Sequence, residues 1–155
     1  MAANQRTSAR EWSTRRDTVL TTIADPRVWL VVYGVLLAAI AFWPVPVDSE
    51  AGPLLRAITR AFPLLTYERI EFMANVAMFV PLGVLLTLII RRRRWLVLPI
   101  ALLVTVTIES GQALLLAART PSVWDVVANT AGACLGMLVA VVGERLARSP
   151  AAERE

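Results

Sequence analysis

The chain has no histidine, no lysine and a single cysteine among its 155 residues. Without histidine it lacks the commonest general base and metal ligand of proteins. One cysteine, Cys134, excludes an internal disulfide and a CxxC redox pair. Because lysine and histidine are absent, the sixteen basic residues are all arginine. They cluster at the ends of apolar segments, which leaves no basic domain to bind nucleic acid. We expect neither a metal, a cofactor nor a nucleic-acid partner.

Apolar residues are present in excess. They make up 57% of the chain, with a mean hydropathy of +0.60, whereas soluble domains are nearer roughly 45–50% apolar. The charged residues are concentrated in a few places, which leaves whole segments almost uncharged. This profile is typical of an integral membrane protein, and the length of the chain favours one domain.

Four apolar segments are long enough, at about 1.5 Å per residue, to cross a hydrocarbon core of roughly 30 Å. The predicted spans cover about residues 27–43, 70–90, 95–117 and 123–146, inside a membrane domain of residues 27–147. The predicted fold is all-α: an integral membrane four-helix bundle with a short interfacial helix between the first two spans. That helix is predicted because "PLLRAITRAFPLL" places apolar residues on one helical stripe.

The arginines predict the orientation of the bundle. Four lie in the tail of residues 1–26, four form the turn 91–94, and Arg145, Arg148 and Arg154 accompany the last span and the tail of residues 148–155. The positive-inside rule then puts both termini and the arginine turn in the cytoplasm. Residues 1–26 lack an apolar region with a small-residue cleavage site, so we interpret them as a cytoplasmic tail and not as a signal peptide.

Six polar residues lie within or beside the predicted spans. Counting from the span ends places Asn75, Glu109 and Asn129 roughly 8–9 Å below the outer surface. Helical spacing puts Thr105, Glu109 and Gln112 on one face. A charged group facing lipid costs several kcal/mol, so these faces should turn inward. The sequence thus predicts a polar binding pocket under the outer face, formed by Asn75, Glu109, Gln112, Arg119, Asp125 and Asn129.

Purely structural interpretations remain open for several of these residues. Asn75, Gln112 and Asn129 could form interhelical hydrogen bonds that only hold the bundle together. Gly132 and Gly136 form a GxxxG pattern, which favours close helix packing and leaves a homo-oligomer through these glycines open. A structural role is harder to assign to Glu109 and Asp125, because a carboxylate is costly at this depth.

Three motifs occur in order along the chain. They are Asn75-x-x-x-Phe79-x-Pro81-x-Gly83, then Glu109-x-x-Gln112, then Arg119 followed by Asp125-x-x-x-Asn129-x-x-Gly132. Together, over roughly residues 28–146, they resemble the VanZ-like membrane proteins of bacteria. That family is named for an accessory protein of glycopeptide resistance clusters that gives low-level teicoplanin resistance. The resemblance implies a cell-envelope role in the bacterial plasma (inner) membrane and no settled mechanism. The family commonly has an acidic residue three positions after the arginine, where this chain has Ser122.

Two classes of function are open, lipid binding and catalysis, and a third interpretation is a purely structural role. In a lipid-handling protein, Arg119 and Arg69 would hold an anionic headgroup by charge and fork geometry. The pocket below would take the sugar or amide groups of a membrane lipid, a lipid-linked envelope precursor or a lipoglycopeptide. In an intramembrane enzyme, Glu109 or Asp125 would be the general base, with a pKa raised by desolvation. The lack of histidine, of a metal-ligand set and of an aligned nucleophile favours binding over catalysis. A purely structural membrane subunit is the third interpretation.

Overall fold

The protein is described by a computed structural model, which covers residues 25–43, 52, 57, 59–62, 64–116 and 122–148. These residues form four α-helices: α1 (Pro26–Ala41), α2 (Tyr67–Ile89), α3 (Val97–Leu115) and α4 (Val123–Arg148). A 3-10 helix, Arg91–Leu96, connects α2 to α3. The described residues contain no strand, and the predicted all-helical class is confirmed.

The start of α1 is encoded locally, by Asp25 and Pro26. The Asp25 carboxylate accepts a hydrogen bond from the backbone N–H of Arg27 at 2.9 Å, and Pro26 occupies the first helical position. Proline is tolerated there because its missing N–H would have no partner inside the helix. The helix ends at Ala41, where the Phe42 N–H reaches the Ala38 carbonyl at 2.9 Å. The helix start predicted at Asp25 and Pro26 is thus confirmed.

Three helical segments are apolar and long enough to cross a membrane. They are Tyr67–Ile89 with 23 residues, Arg91–Leu115 with 25 and Val123–Arg148 with 26. The apolar helix α1 has 16 residues, or roughly 24 Å at 1.5 Å per residue. That is shorter than the roughly 30 Å hydrocarbon core. Three helical segments that could cross a membrane are therefore present, and a fourth span over residues 27–43 stays a prediction.

The predicted interfacial helix falls partly on residues that the structure does not describe. Residues 57 and 59–61 are helical, which fits the prediction at those positions and does not extend it further. Arg119 also lies outside the described residues. Its role in ligand binding stays a prediction.

The tightest packing in the molecule joins α2 to α4 through three glycines. A Cβ atom on Gly83 would lie against the carbonyl oxygen of Ala133, and one on Gly136 against that of Val80. Gly132 meets the Val76 carbonyl in the same way, and all three approaches are closer than real Cβ atoms allow. We call this contact the glycine seam. It confirms close helix packing for Gly132 and Gly136 within one chain, and a homo-oligomer through them remains a prediction.

The apolar side chains divide between a small interior and a large exterior. Buried leucine, phenylalanine and valine side chains form the core, namely Leu37, Phe79, Leu82, Leu86 and Val97. Outside, Val31 is 68% exposed, Leu103 67% and Leu138 58%. Such broad apolar exposure is rare on a soluble monomer. It suits helices whose outer faces contact acyl chains.

The helices place two kinds of polar residue at opposite ends. The start of α2, the end of α3 and the start of α4 meet at what we call the carboxylate end, which contains Glu109 and Asp125. The end of α2, the 3-10 helix and the end of α4 meet at the arginine end, which contains Arg91, Arg94 and Glu144. The two groups of polar residues are separated by the apolar core.

Candidate functional site

Asp125 is held between two helices at the carboxylate end. It lies in the first turn of α4, and its Oδ1 accepts a hydrogen bond of 2.8 Å from the side-chain amide of Asn75 on α2. Both side chains are partly buried. The N-terminal turn of a helix stabilises an anion because its N–H dipoles point toward the charge. Asn75 thus fixes a carboxylate at a position where the helix favours one.

Glu109 reaches the same helix start from α3. It is only 8% exposed, and its Oε2 accepts a hydrogen bond of 3.2 Å from the backbone N–H of Ser122. Ser122 directly precedes α4, and its own hydroxyl oxygen accepts the Trp124 N–H at 3.2 Å. The first N–H groups of a helix have no partner inside the helix. Glu109 and the Ser122 hydroxyl therefore share the task of capping α4, which explains how a buried carboxylate is tolerated here.

A second polar level lies deeper in the bundle. The side-chain amide of Asn129 donates to the Thr105 hydroxyl at 2.8 Å, and the two residues are 3% and 0% exposed. The Asn129 Oδ1 atom is buried without a hydrogen-bond partner in the part of the chain that the structure describes. Thr105 precedes Glu109 by one helical turn, and Asn129 follows Asp125 by one turn. The polar residues therefore occupy two levels.

Asn75, Glu109 and Asn129, which counting from the span ends places at one depth, find their partners at two levels, and the helix ends give the reason. Glu109 is level with the start of α4, although α3 continues to Leu115. At 1.5 Å per residue, α3 extends roughly 9 Å past that point. Counting depth from the span ends assumes that all spans begin at one plane. The actual stagger brings Glu109 to Ser122 and leaves Asn129 beside Thr105.

Gln112 lies on the predicted face, but its side chain binds α1 instead of the other polar residues. Thr105, Glu109 and Gln112 are all buried, which confirms that they share an inward face. The Gln112 amide, however, donates to the Ala41 carbonyl at 2.8 Å. It thereby caps the last turn of α1, where carbonyl groups lack partners inside the helix. The side-chain donor of Gln112 is thus committed to α1.

A cation also lies at the carboxylate end. Arg69 is exposed near the start of α2, and its Nη1 donates to the Leu64 carbonyl at 2.6 Å. This bond uses one of the five N–H donors of a guanidinium group. Within the described ranges, no three side chains of the histidine, cysteine, aspartate or glutamate type come together as a metal site. The chemistry available at this end is hydrogen bonding by carboxylates, amides and a guanidinium.

The sequence pattern of the VanZ/LLP1 family matches residues 30–144 of this chain. The chain belongs to the VanZ/LLP1 family. The family match contains α1 from Leu30 onward, the whole of α2 and α3, and α4 as far as Glu144. Every described residue of the carboxylate end lies inside it, and the resemblance seen in the three motifs is confirmed. Neither a curated protein nor a solved structure matches the chain.

Two structural partners in this VanZ/LLP1 chain escape prediction from the sequence. Ser122 stands out there only as a departure from the family pattern, yet its N–H meets Glu109. Glu144 belongs to none of the three motifs, yet it forms ion pairs with Arg91, at 3.1 Å, and with Arg94. A signal for Glu144 exists in the predicted topology. The positive-inside rule puts the 91–94 turn and the end of the last span on one side, and Glu144 is the acidic residue of α4 nearest that end.

Proposed function

We propose that this VanZ/LLP1-family protein binds the polar group of an envelope lipid or of a lipoglycopeptide at its carboxylate end. The observation that carries the proposal is the meeting of two carboxylates, Glu109 from α3 and Asp125 from α4, at the start of one helix. Each is held by a donor from a second element, Ser122 or Asn75. Fixed groups of this kind suit a ligand because little rotamer entropy is lost on binding.

The chemistry of the end defines the class of ligand. Carboxylates accept hydrogen bonds from hydroxyl, amide and ammonium groups, which sugars and peptides supply. Arg69 is exposed at the same end, and Arg119 follows α3 in the sequence. Guanidinium groups bind phosphate by charge and by two parallel hydrogen bonds. A lipid-linked envelope precursor has phosphate and sugar in one molecule, so it offers partners to both the guanidinium groups and the carboxylates. Glycopeptide resistance, including resistance to teicoplanin, is the cellular effect that family membership suggests.

Catalysis with Glu109 or Asp125 as general base is the alternative. A general base must reach the proton that it removes. Ser110, the hydroxyl residue next to Glu109 in sequence, is exposed, whereas Glu109 is buried. The two side chains therefore do not form a nucleophile–base pair, and binding is the better-supported function.

The test replaces Glu109 by glutamine. The Glu109→Gln variant keeps an oxygen that can accept the Ser122 N–H, so we expect its melting temperature in detergent to match that of the wild type. Removing the charge should lower the amount of lipid that copurifies, measured by native mass spectrometry. It should also lower the shift in glycopeptide susceptibility that expression of the protein causes.

The matched control is Glu68→Gln, which removes an exposed carboxylate from the first turn of α2 at the same end. We expect this control to retain both lipid and susceptibility shift. If Glu109→Gln behaves like Glu68→Gln in both measurements, the polar residues only hold the helices together and the proposal fails.

A further inference from the structure

The end of the molecule opposite the proposed binding site has an unusual charge distribution. On the 3-10 helix and the last turns of α4, six arginines accompany one glutamate, Glu144; they are Arg91, Arg92, Arg93, Arg94, Arg145 and Arg148. One carboxylate cannot neutralise six guanidinium groups. A concentration of positive charge this large attracts anions.

Glu144 organises two of these arginines. Its side chain is 15% exposed and pairs with the Nε of Arg91 at 3.1 Å and with Arg94. The Arg91 side chain nevertheless stays 59% exposed. A guanidinium has five N–H donors, and the contact of Arg91 with Glu144 is an ion pair at its Nε. Glu144 therefore holds Arg91 in place while most of its donors remain at the surface.

The neighbouring arginines are exposed as well. Arg92 and Arg93 lie on the surface and form no ion pair within the residues that the structure describes. Together with Arg91 they place three guanidinium groups on consecutive residues of a short connection whose backbone is fixed by helices on both sides. Consecutive residues of a 3-10 helix point in different directions, so these exposed side chains form a broad positive surface with many N–H donors. Guanidinium groups match phosphate oxygens better than ammonium groups do, because their donors are planar and paired.

Apolar side chains next to the arginines indicate which anion fits. Trp95, the residue after the arginine run, is 71% exposed, and Leu146 on α4 is 66% exposed. Tryptophan at such a position is typical of the membrane–water interface. A free phosphate ion would gain no binding energy from these apolar neighbours. A phospholipid offers its phosphate to the arginines and its acyl chains to the adjacent apolar faces.

We propose that the arginine end is a second binding site, which takes the phosphate group of an anionic membrane phospholipid. Arg91, Arg92 and Arg93 contact the phosphate, and Glu144 positions Arg91. The site is separate from the carboxylate end and does not depend on the function proposed for it. Each arginine near an anionic headgroup contributes a binding factor of about fivefold.

Native mass spectrometry with competing lipids tests this site. Purified full-length protein is mixed with equal amounts of phosphatidylglycerol and phosphatidylcholine that have the same acyl chains. We expect the wild type to retain phosphatidylglycerol preferentially. In the Arg92→Gln/Arg93→Gln variant the preference should fall at least about fivefold. Its melting temperature should not change, because these side chains have no ion-pair partner in the described part of the protein.

The matched control is Arg60→Gln, which removes an exposed arginine before α2, on the side of the carboxylate end. Its lipid preference should equal that of the wild type. A wild type without preference, or a preference lost in Arg60→Gln and kept in the double variant, would overturn the proposal. Inorganic phosphate, added at the concentration of the lipid, should not displace phosphatidylglycerol. Displacement would assign the arginines to a free phosphate ion and reject the lipid site.

Discussion

The two ends of the bundle use their acidic residues in opposite ways. At the carboxylate end, Asp125 and Glu109 accept hydrogen bonds from neutral donors, an amide and a peptide N–H. At the arginine end, Glu144 is paired with two guanidinium groups. A hydrogen bond from a neutral donor survives when the carboxylate becomes an amide, whereas an ion pair does not. The same chemical change, glutamate to glutamine, should therefore have different consequences at the two ends.

The burial of the acids sharpens this contrast. Glu109 is 8% exposed and lies between helices, whereas the Glu144 side chain is 15% exposed beside arginines that reach the surface. Salt screens charges at the surface far more than charges that are buried. The arginine end should thus respond to ionic strength more strongly than the buried Glu109 does.

The largest expected effect comes from a substitution in the glycine seam, because the contact between α2 and α4 supports both ends. In Gly136→Ala the new Cβ would collide with the carbonyl oxygen of Val80 and approach the backbone of Val84 and Gly83. Relieving such an overlap requires α2 and α4 to separate, which should cost about 3 kcal/mol. We expect a lower melting temperature in detergent and the loss of polar contacts at both ends.

The control for this variant is Gly143→Ala on the same helix. A Cβ at Gly143 would meet nothing within 4 Å, and alanine favours a helix over glycine by up to about 1 kcal/mol. This variant should melt at or above the wild-type temperature. Equal melting temperatures of Gly136→Ala and Gly143→Ala would show that α2 and α4 are not in close contact at the glycine seam.

A smaller effect is expected from the deeper polar level. Asn129→Leu removes the donor to Thr105 and leaves that hydroxyl without its partner. The free energy of unfolding should fall by about 1 kcal/mol, within the range measured for interhelical hydrogen bonds. The unpartnered Oδ1 of Asn129 disappears in the same variant, which limits the loss.

The double variant Asn129→Leu/Thr105→Val provides the check. It removes both partners, and replacing both members of a buried hydrogen bond with apolar groups can be nearly neutral. Part of the lost stability should return. A double variant that is less stable than Asn129→Leu by the full cost of Thr105→Val would show that the two residues are not coupled.

The smallest expected effect is that of Glu144→Gln. Losing the ion pairs with Arg91 and Arg94 should lower the melting temperature slightly at low ionic strength, and the difference should shrink as salt is added. Glu109→Gln should depend less on salt, because Glu109 is buried. If both variants respond to salt alike, the proposed contrast between the two ends is wrong.

The sequence is sufficient to predict which residues turn inward and where some helices begin. Helical spacing places Thr105, Glu109 and Gln112 on one face, and all three are buried. Asp25 and Pro26 mark the start of α1, and the GxxxG pattern predicts a close helix contact. These predictions depend on local spacing and on backbone chemistry, which a single sequence contains.

The partners of the inward residues could not be predicted in the same way. Spacing shows that Gln112 faces inward, but only the packing of α1 beside α3 brings the Ala41 carbonyl to its amide. The pairing of Glu109 with Ser122 depends on the stagger of α3 against α4, which is set by side-chain fit along the whole contact. The ends of the three long apolar helices differ by a few residues from those predicted, because helix caps and the 3-10 connection decide those ends.

The glycine seam also orders the steps by which the molecule is made. Its two sides, α2 and α4, are separated in the sequence by the whole of α3. A chain made from its N-terminus therefore completes α2 and α3 before the small residues of α2, Gly83 among them, can contact α4. Neither Asp125 nor Glu144 can reach its partner on α2 or the 3-10 helix before α4 is made. The packing of α4 against α2 therefore completes both ends.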